Sequence, residues 1–313
     1  MKRALLLVST IVAAVAVPSL ADGLRLEGET FRPTAEITWG ATNVLPRELV
    51  VYKRTPLTFS QTVISNAMSV GSFTLLNKLP SEDKTTMRFQ DKRDKIEMTR
   101  FLEISATRGW VNYYDGRAEG KASKGVPTFE VAEKLAVDYL LRFGVNTNQI
   151  IARPWPRTQT TVTSFDKKGG RETDKSTNMR GVFLFRQIDG IEVAGNSFWI
   201  HFCQDAKPSM FELTWPNLEP VQHYGTATPA EIIRWLKAGR AVNPNPDAMT
   251  IQDKPLRITK IVPRYLGKVG ISQMETLHPY AQIEVVADFG KTNQAIFTLN
   301  CPIIDEGKPM LSK

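Results

Sequence analysis

Residues 181–203 read GVFLFRQIDGIEVAGNSFWIHFC, and the fold prediction starts from this stretch. Residues 182–187 and 191–193 favour strands because they are mostly apolar, β-branched and aromatic. Asp189 and Gly190 between them are typical of a tight hairpin turn, in which both central residues adopt a positive φ. The stretch therefore predicts a pair of antiparallel strands.

The sequence around this hairpin contains three segments with helix start and stop signals. Each combines a threonine that can cap a helix, an apolar stripe at helical spacing and a glycine that can end the helix. Thr228, Pro229 and Glu231 form the clearest start, a capping box with proline at the first helical position. The predicted helices begin near Thr58, Thr128 and Thr228 and end near Gly71, Gly144 and Gly239.

Two predicted strands follow each predicted helix. These pairs are residues 101–105 with 110–114, 197–203 with 209–214, and 281–287 with 295–301. A helix laid across an antiparallel ribbon buries the apolar faces of both elements, so the recurrence indicates an internal repeat. The sequence predicts an α+β fold of repeated helix-on-antiparallel-sheet units.

Turn-rich segments at residues 115–127 and 243–247 separate these units. The predicted organisation has four parts in chain order. They are a signal peptide at 1–21, a first helix-plus-sheet unit at 22–120, a second and larger unit at 121–242, and C-terminal antiparallel strands at 243–313.

The run at 181–195, with the ribbon that ends in Leu-Thr-Trp-Pro at 213–216, resembles PepSY and fungalysin/thermolysin-propeptide domains. Residues 266–298 are similar to exported YycH/YycI and YpeB-type regulators. The resemblance covers about residues 46–303 as architecture and 183–195 as motif. It implies PepSY/cystatin-like units in a protein that binds or inhibits proteases or modulates sensor proteins, without a catalytic site of its own.

The N-terminus predicts export. Lys2 and Arg3 precede an uncharged apolar run, and small residues before Asp22 suit a signal peptidase. The run is shorter than the roughly 20 residues of a spanning helix, although an uncleaved membrane anchor is the alternative. We expect a mature chain that starts at Asp22, has no membrane span and is periplasmic or secreted.

The charge pattern argues against a nucleic-acid partner. The formal net charge is +8, of which Lys2 and Arg3 contribute two. The remaining cations alternate with acids, as in residues 91–95, whereas a nucleic-acid site gathers one sign of charge onto one face. Attraction to anionic envelope polymers would account for the excess as well.

The two cysteines, Cys203 and Cys301, leave two alternatives open. An oxidising compartment would permit a disulfide, provided that the two Cα atoms lie within about 7 Å. Two separate buried thiols, which behave as small apolar residues, are the favoured interpretation.

Catalytic and metal-binding motifs are not found in the sequence. His201, His223 and His278 each stand without a second histidine three or four residues away, so no metal or cofactor is expected. Carboxylates near strands could pair as they do in glycosidases. These acids are Glu97, Glu103, Asp189, Glu212 and Glu284.

Trp155 and Trp215 stand beside prolines and are candidates for a binding surface that stacks on a glycan or peptide, although packing tryptophans are the favoured interpretation. The predicted function is an exported, non-enzymatic binding or regulatory module for a protein, peptide or cell-envelope partner. The alternative is an extracytoplasmic hydrolase that acts on a glycan or ester.

Overall fold

The computed structural model describes residues 26–55, 61–70, 76–79, 86–91, 100–105, 108–116, 124–165, 172–244, 251–269, 272–289 and 294–309. These ranges contain three α-helices, α1 (Gln61–Val70), α2 (Phe129–Arg142) and α3 (Pro229–Lys237). The strands are β1 (Glu29–Phe31), β2 (Ile37–Trp39), β3 (Glu48–Thr55), β4 (Leu76–Leu79), β5 (Thr86–Asp91), β6 (Arg100–Ser105), β7 (Trp110–Asp115), β8 (Arg157–Phe165), β9 (Glu172–Ile188), β10 (Ile191–Phe202), β11 (Pro208–Thr214), β12 (Asn217–Thr226), β13 (Ala241–Asn243), β14 (Leu256–Val269), β15 (Ser272–Asp288), β16 (Gln294–Pro302) and β17 (Ile304–Pro309). The predicted signal peptide at 1–21 lies outside the described residues, as does the predicted cap Thr58.

The three predicted helices are confirmed. The Thr128 hydroxyl accepts a hydrogen bond from the third residue of its helix, so it caps α2. Thr228 and Glu231 form the reciprocal capping box of α3. Gly144 and Gly239 follow α2 and α3 with φ of +84° and +74°, the left-handed conformation that ends a helix.

The chain forms two compact units, each built from separate segments. Unit 1 takes its described residues from Met1–Thr42, Thr228–Lys260 and Ile283–Pro302. Unit 2 takes its own from Asn43–Ala227, Ile261–Gln282 and Ile303–Lys313.

Unit 1 joins strands that are far apart in the sequence. Strand β13 pairs antiparallel with both β1 and β16, and β2 pairs parallel with β14 over three residues. Helix α3 packs on β16. Its buried side chains include Ile232, Trp235 and Leu236, so α3 contributes an apolar face to the core of this unit.

Unit 2 is built on an eight-stranded antiparallel sheet. Its strand order is β4-β5-β6-β7-β11-β10-β9-β8, and each neighbouring pair is antiparallel. The predicted turn at Asp189 and Gly190 joins β9 to β10, with φ of +50° and +81°. Elsewhere in unit 2, β12 pairs with β3 and β17, and β10 forms a short parallel ladder with β14 at Val193 and Ala194.

Helices α1 and α2 pack on one face of this sheet, the helix face. The helices supply Ala67, Ala132, Ala136 and Leu140 to a shared core. Alternate residues of the strands complete this core, because successive side chains of a strand point to opposite faces. They include Leu102, Ile104, Val111, Tyr113, Val182, Leu184, Phe198, Ile200, Phe202, Phe211 and Leu213.

The predicted fold class of repeated helix-on-antiparallel-sheet units is wrong. The described chain is mostly mixed sheet with three helices, and the first two predicted ribbons do not form separate layers. The ladder between β7 and β11 fuses them, since Tyr113 pairs with Phe211 and Val111 with Leu213. Once joined, the ribbons present one continuous apolar face, which α1 and α2 cover together.

Helix α2 is tied to the chain after it by charge. Glu133 is buried, and its carboxylate accepts from Arg157 at 2.7 Å and lies 3.3 Å from Arg153. A buried carboxylate requires such partners because desolvation penalises an isolated charge. Both arginines remain largely exposed, so the ion pair forms at the rim of the core.

A candidate binding face on the eight-stranded sheet

The open face is the face of the eight-stranded sheet opposite α1 and α2. Most of its side chains are half-buried, those of Thr158 and Arg88 are exposed, and they alternate in sequence with the core residues of the helix face. The side chains that matter for the site lie in two rows across the strands. The first row is Phe183, Trp199, Glu212, Asn112, Glu103 and Arg88, and the second is Thr158, Gly181, His201, Met210, Tyr114 and Phe101.

The first row changes from aromatic to polar. Phe183 and Trp199 lie side by side, with nearly parallel rings and centroids 6.3 Å apart. Trp199 pairs in register with Glu212, which pairs with Asn112 on the next strand. With strands about 4.8 Å apart, the six residues of the row span about 24 Å.

Three adjacent polar groups of this row have no partner among the described residues. They are the Trp199 indole N–H, the Glu212 carboxylate and the Asn112 amide. Glu103, in contrast, accepts a hydrogen bond from Arg88 Nε at 2.8 Å. The centre of the open face therefore presents one uncompensated carboxylate beside an aromatic ring.

The second row is centred on His201. Its Nε2 lies 3.2 Å from the Thr158 hydroxyl, and its ring lies 5.3 Å from that of Trp199. A Cβ on Gly181 would come within 2.2 Å of both His201 and Thr158, so a glycine is needed where this ring crosses β9. Burial lowers the pKa of His201, which leaves the imidazole neutral near pH 7.

Thr158 and His201 resemble the hydroxyl and the base of a catalytic triad, but the group that would orient the base is missing from the described residues. The Nδ1 atom of His201 is buried and has no hydrogen-bond partner in the described chain. A catalytic imidazole needs a group that fixes its tautomer and stabilises the imidazolium. This arrangement does not support nucleophilic catalysis.

The other two histidines have structural partners. His223 Nδ1 contacts the carboxylate of Glu48 across the β3–β12 pair, and both side chains are about half exposed. His278 is buried, and its Nε2 lies 2.7 Å from the Thr276 hydroxyl. In the described ranges no group of three or more His, Cys, Asp or Glu side chains is placed to hold a metal ion.

The structure brings together two of the acids considered from the sequence. Glu103 and Glu212 lie on the open face on either side of Asn112. Asp189 lies in the hairpin turn, and Glu284 accepts a hydrogen bond from Thr259 at 2.7 Å. Glu97 lies outside the described residues.

The two tryptophans considered for a binding surface pack against the core. Trp215 is 5 % exposed, and its indole N–H donates to Gln149 at 3.0 Å. The buried guanidinium of Arg186 lies over its ring, 5.4 Å from the centroid. Trp155 is half-buried, and its N–H donates to the Ile151 carbonyl at 2.7 Å. Neither indole N–H is therefore left for a ligand.

Arg186 is a buried cation held by neutral groups. Its guanidinium donates to the Pro216 carbonyl at 2.6 Å and lies 3.5 Å from the Asn196 amide oxygen. Desolvation lowers its pKa to about 10. These contacts tie β9 to the chain that follows β11.

Unit 1 contains a groove of about 370 Å³ that brings two carboxylates onto one surface. Glu36 and Asp288 line it together with Arg257. The three side chains are exposed, so water solvates each of them and weakens the interactions between their charges.

Cys203 and Cys301 are both free and buried, the first in unit 2 and the second in unit 1. Burial raises the pKa of both thiols, that of Cys301 to about 12. Because the thiolate is the reactive form, we expect neither cysteine of the native protein to be alkylated by iodoacetamide at pH 8. Mass spectrometry of the intact protein should show two modifications only after unfolding in urea.

This experiment also separates the two alternatives for the cysteines. Cys301→Ala should show a single modification after unfolding, which assigns the sites. A wild-type chain that takes up no label in urea, and two labels once a reductant is added, would contain the disulfide instead.

Among the described residues, none of the helices combines the length and the apolar character that a bilayer crossing requires.

No family model and no curated protein matches this sequence. A similar solved structure is the crystal structure of an uncharacterized protein from Eubacterium rectale. The two chains are 11% identical, the match covers 89% of this chain and 90% of the other, and the TM-score is 0.46. A likeness at this level carries no argument about function.

The open face was not predicted from the sequence. Residues 197–202, Ser-Phe-Trp-Ile-His-Phe, are aromatic or apolar at nearly every position, whereas a strand with one solvated face alternates apolar with polar residues. This departure from alternation was the available signal that the second face is also built from large rings.

Proposed function

We propose that this protein is a non-enzymatic module that binds a protein or peptide partner outside the cytoplasm, with the open face as its binding surface. The observation that carries the proposal is the half-buried aromatic surface around Trp199, bordered by Glu212 and Asn112, whose polar groups have no partner within the described ranges. Aromatic side chains with a polar rim are characteristic of protein interaction surfaces.

The same surface gives little support to catalysis. The His201–Thr158 pair has no third group among the residues that the structure describes, and Glu103 accepts a hydrogen bond from Arg88. Export and the resemblance to PepSY-type regulators remain expectations from the sequence, and they agree with a module that modulates another protein.

The test is a pull-down from the envelope fraction of the native host with the mature chain as bait. The wild type should recover one partner in stoichiometric amount. A double variant, Asn112→Arg with Glu212→Arg, should lose it because two long cations would cover the unpaired centre of the open face.

Val131→Arg is the matched control. Val131 is 45% exposed on α2, on the other side of the sheet, so the same cation there should leave capture unchanged. Far-ultraviolet circular dichroism establishes that each variant is folded. If the double variant recovers the partner as well as the wild type does, the open face is not the binding surface.

A hydrolase that acts on a glycan or ester is the second candidate, and the groove of unit 1 is the observation that favours it. Two carboxylates in one groove can divide general acid and general base roles. Turnover of a glycan or ester library that disappears in both Glu36→Gln and Asp288→Asn, and persists in Glu219→Gln, would support this class.

A further inference from the structure

We propose that the Trp199–Glu212 end of the open face holds a cationic side chain, the guanidinium of an arginine or the ammonium of a lysine, from an extended segment of the partner polypeptide. This inference rests on the proposed function and specifies what the binding surface recognises.

The charges of the open face are the first argument. Among the described side chains of its two rows, the charged groups at pH 7 are Glu212, Glu103 and Arg88. Arg88 and Glu103 neutralise each other at 2.8 Å. Glu212 is left as a single negative charge without a partner among the described residues, so this patch is locally complementary to a cation.

The ring beside Glu212 is the second argument. A cation over an indole face is attracted by the ring quadrupole, and tryptophan is the best aromatic partner. The register places Trp199 directly opposite Glu212, where side chains of neighbouring strands are about 5 Å apart at Cβ. One guanidinium can therefore contact the ring and the carboxylate together.

Three of the five other tryptophans of the described chain supply the third argument. Arg153, Arg186 and Arg240 lie over the rings of Trp155, Trp215 and Trp235, with guanidinium carbons 4.7, 5.4 and 4.9 Å from the ring centroids. Trp199 has no such cation from the described residues, although it is the tryptophan with an unpaired carboxylate opposite it.

The same features disfavour two other ligands. A single-stranded nucleic acid could stack on the rings, but Glu212 would repel its phosphates. A neutral glycan could also stack, but it would leave the Glu212 charge uncompensated.

The test measures binding of fluorescein-labelled nonapeptides to the full chain by fluorescence anisotropy. One peptide alternates arginine with serine, and the matched peptide has citrulline, which is neutral and nearly isosteric, in place of arginine. We expect the arginine peptide to bind about tenfold more tightly, with an affinity that falls as salt is added.

Glu212→Gln should weaken binding of the arginine peptide about tenfold, because it removes the charge and preserves the shape of a side chain with no partner. Trp199→Leu should weaken it as well. The control is Glu219→Gln, which removes an exposed carboxylate on β12 and should leave affinity unchanged.

Equal binding of the arginine peptide to the wild type and Glu212→Gln would overturn the inference. So would preferential binding of a chitin oligosaccharide that depends on Trp199. If the native partner is captured through the open face while Glu212→Gln has no effect on it, the proposed function stands and the cation site does not. If the Asn112→Arg, Glu212→Arg double variant captures the partner as well as the wild type does, the proposed function itself fails.

Discussion

Gly109→Ala should lower the free energy of unfolding by about 3 kcal/mol. Gly109 has a φ of +61°, a conformation that costs a residue with a side chain about 1 kcal/mol or more. A Cβ there would also lie 2.4 Å from the Cα of Pro216, and backbone atoms cannot rotate away as a flexible side chain can. Relieving this clash requires the chain after β11 to shift. The hydrogen bond that the backbone N–H of Trp215 donates to the Gly109 carbonyl, at 2.8 Å, opposes that shift.

Urea denaturation followed by tryptophan fluorescence measures this loss. Gly144→Ala is the matched control, because Gly144 also has a positive φ of +84° but, apart from its chain neighbours, no described residue has an atom within 4 Å of the Cβ that would be added. Gly144→Ala should lower the free energy of unfolding only by the cost of the positive φ, about 1 kcal/mol. Equal losses at the two glycines would show that the contact with Pro216 costs nothing.

Phe211→Ala should lower the free energy of unfolding by about 3–5 kcal/mol, the range for removal of a buried phenylalanine ring. Phe211 is fully buried at the centre of the helix face. Its ring centroid lies 5.3 Å from that of Tyr113, 5.7 Å from that of Phe143 and 6.1 Å from that of Phe198. The resulting cavity would be enclosed by rigid rings, so the core could collapse around it only in part.

The matched control removes the same ring from the other side of the sheet. Phe183 is half-buried on the open face. Phe183→Ala should lower the free energy of unfolding by only about 1 kcal/mol, because folding removes less apolar area of this side chain from water. The difference between the urea midpoints of Phe211→Ala and Phe183→Ala tests which face of the sheet packs against the core. A larger loss at Phe183 would contradict the assignment of the helix face.

The helices could be predicted because their signals are local. Thr128 caps α2 from a position adjacent to it, and Thr228 with Glu231 caps α3 within one turn. The strand pair β9 and β10 was predictable for the same reason, since Asp189 and Gly190 specify their turn. These elements depend on residues that are close together in the sequence.

The sheet order could not be predicted, because it depends on which distant strands meet. No local pattern indicates that Tyr113 pairs with Phe211, and strands with apolar residues on both faces are compatible with several neighbours. The candidate site was missed for the same reason. Glu212 and Asn112 became neighbours only through that ladder, and the run of large rings at residues 197–202 did not indicate which of them face away from the core.

The segmented construction of unit 1 has a consequence for the order of folding. Strand β1 near residue 30 finds its partner in β13 near residue 242, so the earliest described strand emerges during synthesis about two hundred residues before its partner does. Closing so large a loop is slow, and an unpaired strand edge is exposed to mispairing in the meantime. Its short length of three residues limits that hazard, because so short an edge gives another chain little backbone to pair with.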